Sequence, residues 1–451
     1  MKKNHFLLIS AILLSFLLSS CASAGKLNFF QHRKLDKTIE QSAIFNSGYS
    51  GFLIVDAERG NVVYEKNAEN YFTPASNIKI LTLLAAIEIF NNSIPVFYFR
   101  ESIDSLWIMP VGGPSFNTPF IEEETEIIEW LRALGTLKKI TICQKPTDER
   151  RFGPGWAWDG YNFNYQTERS TFPIYGNRVQ FTFLPFDSIP DIHPPFFADK
   201  TKRKEYSLNR QGMAHIERHE RDNSFEIQSD GLNVDTILRY VPFIPDDATL
   251  TQLFSELIGQ QVNLEYCHLE KNENWSVLYA ANPDSIYKRL MQASDNFIAE
   301  QLLMSISSQL FDTINTLKAI NYITDSLWGD LPQQPYWWDG SGLSRYNLLT
   351  PATLVHLLQR IYQREDSEKI ISYFPVGGES GTIQNWYSGD DGAFVFAKTG
   401  TLRNNHSLSG YFTGESGRTY IFSFMHNVFP GPPNLQRHEM ENLFYWLRKR
   451  L

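Results

Sequence analysis

Apolar residues fill almost every position from Ile78 to Phe90, broken only by Lys79, Thr82 and Glu88. A helix apolar on nearly all faces belongs inside a core. The period changes elsewhere. Short apolar or β-branched runs predict strands at 106–109 and 139–143, with a helix at 124–134 between them. Alternation with intervening turn residues predicts an antiparallel meander from the runs 393–402, 407–413 and 419–428. Helical periodicity runs through 285–308 with a break at Ser294-Asp295-Asn296. The stretch 250–259 reads as a helix closed by Gly259, and 435–451 as a terminal amphipathic helix with Asn434 as its N-cap.

Three short motifs fall on these elements in order: Ser76-Asn77-Ile78-Lys79, Ser294-Asp295-Asn296 and Lys398-Thr399-Gly400. Each alone is weak, since a Ser-x-x-Lys arises about once or twice by chance in a chain this long. Their shared chemistry is stronger. Ser76 opens the apolar helix, where unpaired backbone N–H groups favour developing negative charge. Lys79 lies on the same helical face, and burial there lowers its pKa and makes the neutral amine accessible as a base. A serine hydroxyl is a poor nucleophile until a neighbour takes its proton. Ser294-Asp295-Asn296 reads as a cap between two helices, and Lys398-Thr399-Gly400 as the end of a strand that another backbone approaches closely. The motif set is that of serine acyl-transfer sites attacked by penicillin.

Longer strings carry a specific resemblance. Asp339-Gly-Ser-Gly-Leu-Ser-Arg-Tyr-Asn347, Phe374-Pro-Val-Gly-Gly-Glu-Ser-Gly-Thr382, Gly153-Pro-Gly-Trp-Ala-Trp-Asp159 and Tyr175-Gly-Asn177 join the three motifs. On these residues the chain resembles the D-alanyl-D-alanine carboxypeptidase/endopeptidase family of low-molecular-mass class C penicillin-binding proteins. The resemblance covers most of the chain. It departs at Gly112-Gly113-Pro114, where the family often carries Gly-Asp-Pro. It implies an α+β multidomain fold with a penicillin-binding, β-lactamase-like catalytic domain, an antiparallel sheet flanked by helices. Ser76 is then the nucleophile, Lys79 the general base, Ser294 the relay to the leaving group, and Asn296 a ligand for Lys79 and a substrate carbonyl. The backbone N–H groups of Ser76 and Thr401 would hold the oxyanion. Lys398 and Thr399 would bind the terminal carboxylate while substrate aligns along the strand at Gly400. Asp148 aligns loosely with an aspartate the family uses near a substrate amine. The implied partners are peptidoglycan stem peptides, with β-lactams as inhibitors. No cofactor or metal is expected; His193, His215, His219, His268, His406 and His426 lack the spacing of a ligand motif.

Ser76 and Ser294 are 218 residues apart, yet they must reach one pocket. A large insertion is therefore expected between the first two motifs, giving catalytic parts at 22–96 and 275–451 around an inserted region at 97–274. Lys2-Lys3 followed by the apolar run from Phe6 to Leu18 reads as an export signal too short to span a bilayer. Leu18-Ser19-Ser20-Cys21 resembles a lipoprotein box that would lipidate Cys21 and hold the protein on a membrane surface; Ala22-Ser23-Ala24 offers a competing cleavage site. The expected localisation is periplasmic, as a membrane-anchored lipoprotein. Removing residues 1–20 takes the net charge from −9 to −11 by loss of Lys2 and Lys3, a poor balance for nucleic-acid binding.

Cys143 and Cys267 remain and are expected as buried free thiols, a disulfide being the alternative in an oxidising compartment. Trp156 and Trp158 are expected to pack. The basic run Lys200, Lys202, Arg203 and Lys204 reads as a solvated face. Two other functions share parts of this pattern. A serine β-lactamase would need a deacylating glutamate, and no Glu-x-x-Leu-Asn string follows Ser294-Asp295-Asn296. A non-catalytic peptidoglycan-binding protein need not keep the full motif set.

Overall fold

The computed structural model describes residues 27–451 except 92, 122–124, 205–213, 232 and 268–273. Two compact units emerge. One comprises the chain up to Asn77 with Leu331–Pro335 and Leu348–Leu451; the other comprises Ile78–Asp330 and Tyr336–Asn347. Cys21 and His268 lie outside the described residues.

The first unit is built on a five-stranded antiparallel sheet. Its order is Val395–Leu402, Asn405–Thr413, Thr419–Asn427, Tyr49–Asp56, Val62–Lys66. The expected meander is there, and the N-terminal strand completes it with Phe52 opposite Phe424. Alternation sends Leu408, Phe412, Phe422 and Phe424 to one face. There they meet Leu35 and Ile39 of helix Phe29–Gln41, and Leu443, Phe444 and Leu447 of helix Asn434–Arg448. Each such side chain, fully buried, contributes roughly 1.5–3 kcal/mol. Helix Pro351–Tyr362 is tied to the sheet through Tyr411, whose hydroxyl donates to the Leu358 carbonyl at 2.8 Å. Asn434 is the first helical residue, not the N-cap; Pro433 caps, without a side-chain bond.

The second unit holds the apolar helix, Ile78–Phe90, with eleven of its residues buried; Ser76 sits in the short turn Ala75–Asn77 just before it instead of opening the helix. Helices Pro283–Gln292 and Asn296–Leu310 flank Ser294. A five-stranded mixed sheet runs Asn263–Tyr266, Lys139–Gln144, Ser105–Pro110, Pro95–Glu101, Ser276–Tyr279. Among the described residues, two three-stranded sheets are also present in the unit. The helix Asp247–Ile258 ends at Gly259, whose φ of 77° is the left-handed conformation glycine adopts at low cost. Lys200, Lys202, Arg203 and Lys204 are exposed, and Lys204 pairs with Glu226 at 2.9 Å.

Cys143 and Cys267 correct the expectation of free thiols: they form a disulfide with Cα atoms 5.2 Å apart. Lys139–Gln144 and Asn263–Tyr266 pair in parallel with Gln144 opposite Tyr266, which brings two residues 124 positions apart side by side. That separation fits the bridging window for cysteines, and no local pattern announces it. Trp158 corrects another expectation. It is 76 % exposed, because the short turn Trp158–Asn162 points it outward, whereas Trp156 packs.

Residues 22–451 should therefore take up no thiol reagent when denatured without reductant. Cys143→Ser should lower stability by about 2–4 kcal/mol, read from the urea midpoint. Labelling of two thiols in the unreduced wild type would contradict the bridge.

Candidate active site

The first unit holds Ser76 and the Lys398-Thr399-Gly400 strand. Ser76 sits in the turn Ala75–Asn77, half-buried, after Ala75 with φ of 49°. Positive φ at alanine is a strained conformation that neighbouring structure must hold in place. Two clamps do so. The Thr73 N–H donates to Asn427 Oδ1 at 2.6 Å, and Asn427 Nδ2 returns a bond to the Thr73 carbonyl at 3.2 Å. Asn77 Nδ2 donates to Ser409 Oγ at 3.0 Å, which in turn donates to Ser423 Oγ at 2.9 Å, all three residues fully buried.

Gly400 runs directly against that turn. A Cβ there would lie 2.3 Å from the Pro74 carbonyl oxygen and 3.2 Å from the Ser76 nitrogen. No side chain fits, so glycine is required by close approach. The same approach brings the Ser76 N–H alongside the strand that carries Thr401. Lys398 is fully buried and donates from Nζ to the Thr399 carbonyl at 2.8 Å, which excludes an ordinary surface lysine. Thr399 Oγ1 donates to Thr382 Oγ1 at 2.7 Å. The Thr401 hydroxyl meets His406 Nδ1 at 2.9 Å. Burial, with Arg437 and His426 nearby, pulls the His406 pKa down to about 3, so the ring is neutral at physiological pH.

The second unit holds Lys79, Ser294 and Asn296. Lys79 has no exposed surface. Its Nζ donates to Asn296 Oδ1 at 2.6 Å and to the Ser341 carbonyl at 2.6 Å. Burial lowers its pKa to about 8, with Asp339, Glu300 and Asp295 opposing the fall. A base poised near neutrality is what proton removal from a serine needs. Asn296 Nδ2 donates to the Tyr165 carbonyl at 2.8 Å, which fixes the amide with its oxygen toward Lys79.

Asp295 caps helix Asn296–Leu310, accepting from the Phe297 and Ile298 N–H groups at 3.0 and 3.3 Å. Burial works against its charge, but Arg178 at 3.1 Å and Arg289 at 3.2 Å more than offset that and hold the carboxyl at about 2. Ser294, just before the cap, has φ of 55°, in the left-handed region like Ala75.

Asp148 stands apart from this group. It is exposed, accepts from Asn315 Nδ2 at 3.2 Å, and lines a cavity of about 800 Å³ with Arg150, Arg151 and Arg169. Among the described residues no hydrogen bond joins it to Lys79 or Asn296.

The sequence reading gave the Asp339–Asn347 string no role. Asp339 is fully buried and accepts from the Gly342 and Ser344 N–H groups at 2.9 and 2.6 Å, from Asn347 Nδ2 at 2.7 Å and from Trp156 Nε1 at 2.8 Å. The resulting turn presents the Gly340 and Ser341 carbonyls to Thr82 and Lys79. Its cluster of glycine, serine and a distal asparagine around one aspartate was the available signal.

The sequence profile of the D-Ala-D-Ala carboxypeptidase 3 (S13) family matches residues 31–449. A D-alanyl-D-alanine carboxypeptidase of Actinomadura sp. (strain R39) is 40 % identical over 450 residues, covering 89 % of this chain and 81 % of that protein. The D-alanyl-D-alanine carboxypeptidase DacB of Haemophilus influenzae is 31 % identical over 153 residues, a match confined to 31 % of this chain and 30 % of that protein. The crystal structure of penicillin binding protein 4 from Haemophilus influenzae superposes with a TM-score of 0.73 at 18 % identity, covering 92 % of this chain and 99 % of that one. The same protein complexed with a β-lactam gives 0.66.

Gly400→Ala should force the strand and the Ser76 turn apart, costing about 1–3 kcal/mol in the urea midpoint. A variant as stable as wild type would refute the close approach.

Proposed function

The chain belongs to the D-Ala-D-Ala carboxypeptidase 3 (S13) family, and from that premise we propose a serine D-Ala-D-Ala carboxypeptidase that works on peptidoglycan stem peptides through an acyl-enzyme. The observation that carries this reading is the buried Lys79 amine, three residues after Ser76 and hydrogen-bonded to Asn296. A surface lysine, charged and hydrated, would support a capping serine and nothing more.

In this reading the neutral Lys79 amine takes the Ser76 hydroxyl proton as Oγ attacks the carbonyl carbon of the penultimate D-alanine. Negative charge gathers on the carbonyl oxygen and is met by the backbone N–H groups of Ser76 and Thr401. When the C–N bond breaks, the proton passes by way of Ser294 to the departing nitrogen, and terminal D-alanine leaves. Lys398 and Thr399 bind its carboxylate. Water then hydrolyses the ester at Ser76. A β-lactam enters by the same attack and stalls as the ester. Asp148 serves the substrate amine on the family resemblance alone.

We further propose that residues 97–274 are an insertion between catalytic parts at 22–96 and 275–451. Export and anchoring at Cys21 complete the proposal; no helix among the described residues is long and apolar enough to cross a membrane.

The test is intact-protein mass spectrometry of residues 22–451 after mixing with benzylpenicillin, with Ser76→Ala alongside. The expected result is a lasting mass increase on the parent that is absent from the variant, with D-alanine released from stem pentapeptide by the parent only. Crosslinked dimers added to the same assay measure endopeptidase action. An adduct on Ser76→Ala would remove the nucleophile. Drug consumed without an adduct would indicate a β-lactamase, and an inert protein a non-catalytic wall binder.

A further inference from the structure

The Lys79 amine is held from behind by a carboxylate that none of the three motifs contains. Glu300 lies one helical turn after Asn296 on helix Asn296–Leu310, on the same face, and is almost fully buried. Its Oε1 accepts the Ser341 N–H at 2.8 Å, while the Ser341 carbonyl accepts from Lys79 Nζ at 2.6 Å. A single residue, Ser341, thus separates carboxylate from amine, its N–H on one and its carbonyl on the other.

The backbone leading into Ser341 has little room to move. Thr82 Oγ1 donates to the adjacent Gly340 carbonyl at 2.7 Å, and a Cβ on Gly340 would lie 2.3 Å from the Ala299 carbonyl oxygen. The second Glu300 oxygen faces Arg169 Nη1 at 3.6 Å, and Arg169 Nη2 pairs with Glu149 at 2.8 Å, both arginine and Glu300 being buried. The charged groups facing Lys79 are Asp339, Glu300 and Asp295; those facing Glu300 are Asp339 and Arg169, with Glu149 beyond the arginine.

We propose that Glu300 is a positioning residue for Lys79, holding the Ser341 carbonyl on the amine and setting a negative charge behind it, with Arg169 as its counter-ion. This rests on the reading of Lys79 as the base for Ser76. A buried carboxylate at this distance favours the ammonium form, so it sets the pH at which the amine becomes available. Burial and Asp339 push Glu300 up to about 7, with Arg169 and the Ser341 bond opposing, so it is ionised where Lys79 loses its proton at about 8.

The test is the second-order rate of acylation by benzylpenicillin, measured from mildly acidic pH to about pH 10 on wild type, Glu300→Gln and Glu300→Asp, with Ser76→Ala as blank. Glutamine keeps an acceptor for the Ser341 N–H and removes the charge. Its rising limb is expected to shift to lower pH, with a gain of about twofold over wild type between about pH 7 and 8 that fades below about 7, where Glu300 is itself protonated. Aspartate keeps the charge but withdraws from Ser341. Its limb should return close to wild type while the plateau rate falls about tenfold. A Gln limb that coincides with wild type overturns the proposal, since a purely structural glutamate would leave it in place. If the Gln variant fails to fold, an Asp plateau equal to wild type overturns it equally. A wild type that is not acylated beyond the Ser76→Ala blank removes instead the reading on which the proposal rests.

Discussion

A lysine amine without contact to water is the constraint around which the rest of the second unit is arranged. Lys79 enters a helix apolar on every side, and its ammonium form there would be prohibitive without compensation. Two short hydrogen bonds, to Asn296 and to the Ser341 carbonyl, supply part of it. Three carboxylates at longer range supply more, though less than burial removes, so the pKa settles at about 8. That balance is chemically useful. A fully compensated lysine would stay protonated, and an uncompensated one would not be held at all.

The supporting parts are rigid for related reasons. Asp339 gathers the backbone of its own turn and the Trp156 indole, fixing the Ser341 carbonyl without using a regular element. Gly340 and Gly400 each stand where another backbone comes too near for a side chain, one in each unit. Ala75, next to Ser76, and Ser294, itself assigned to the chemistry, both hold positive φ. Strain of this kind persists only where the surroundings over-determine the backbone. Around Ser76 they do: Asn427 and the Asn77–Ser409–Ser423 chain hold its turn to the sheet.

Much of this was legible in the residues. The apolar helix, the break at Ser294-Asp295-Asn296 and the terminal meander are strong periodic signals, and they formed with ends within two residues of where period and capping placed them. What escaped was non-local. The Cys143–Cys267 bridge depends on a parallel pairing across 124 residues. Arg169 lies in irregular chain, where no period marks a side chain as buried. Glu300 was within reach, a carboxylate four residues after Asn296 on a mostly apolar helix, but a glutamate on a helix is usually solvated. Asn434 was misplaced by one position because Pro433 already has helical φ and ψ.

The most direct test is to watch the Lys79 amine itself. In protein labelled with ¹³C at lysine Cε, the Lys79 resonance can be assigned by its loss in Lys79→Arg and followed through a pH titration. The account predicts a midpoint at about 8. A midpoint at the ordinary lysine value of about 10.4 would contradict it, because an amine fully charged at neutral pH could not take the Ser76 proton.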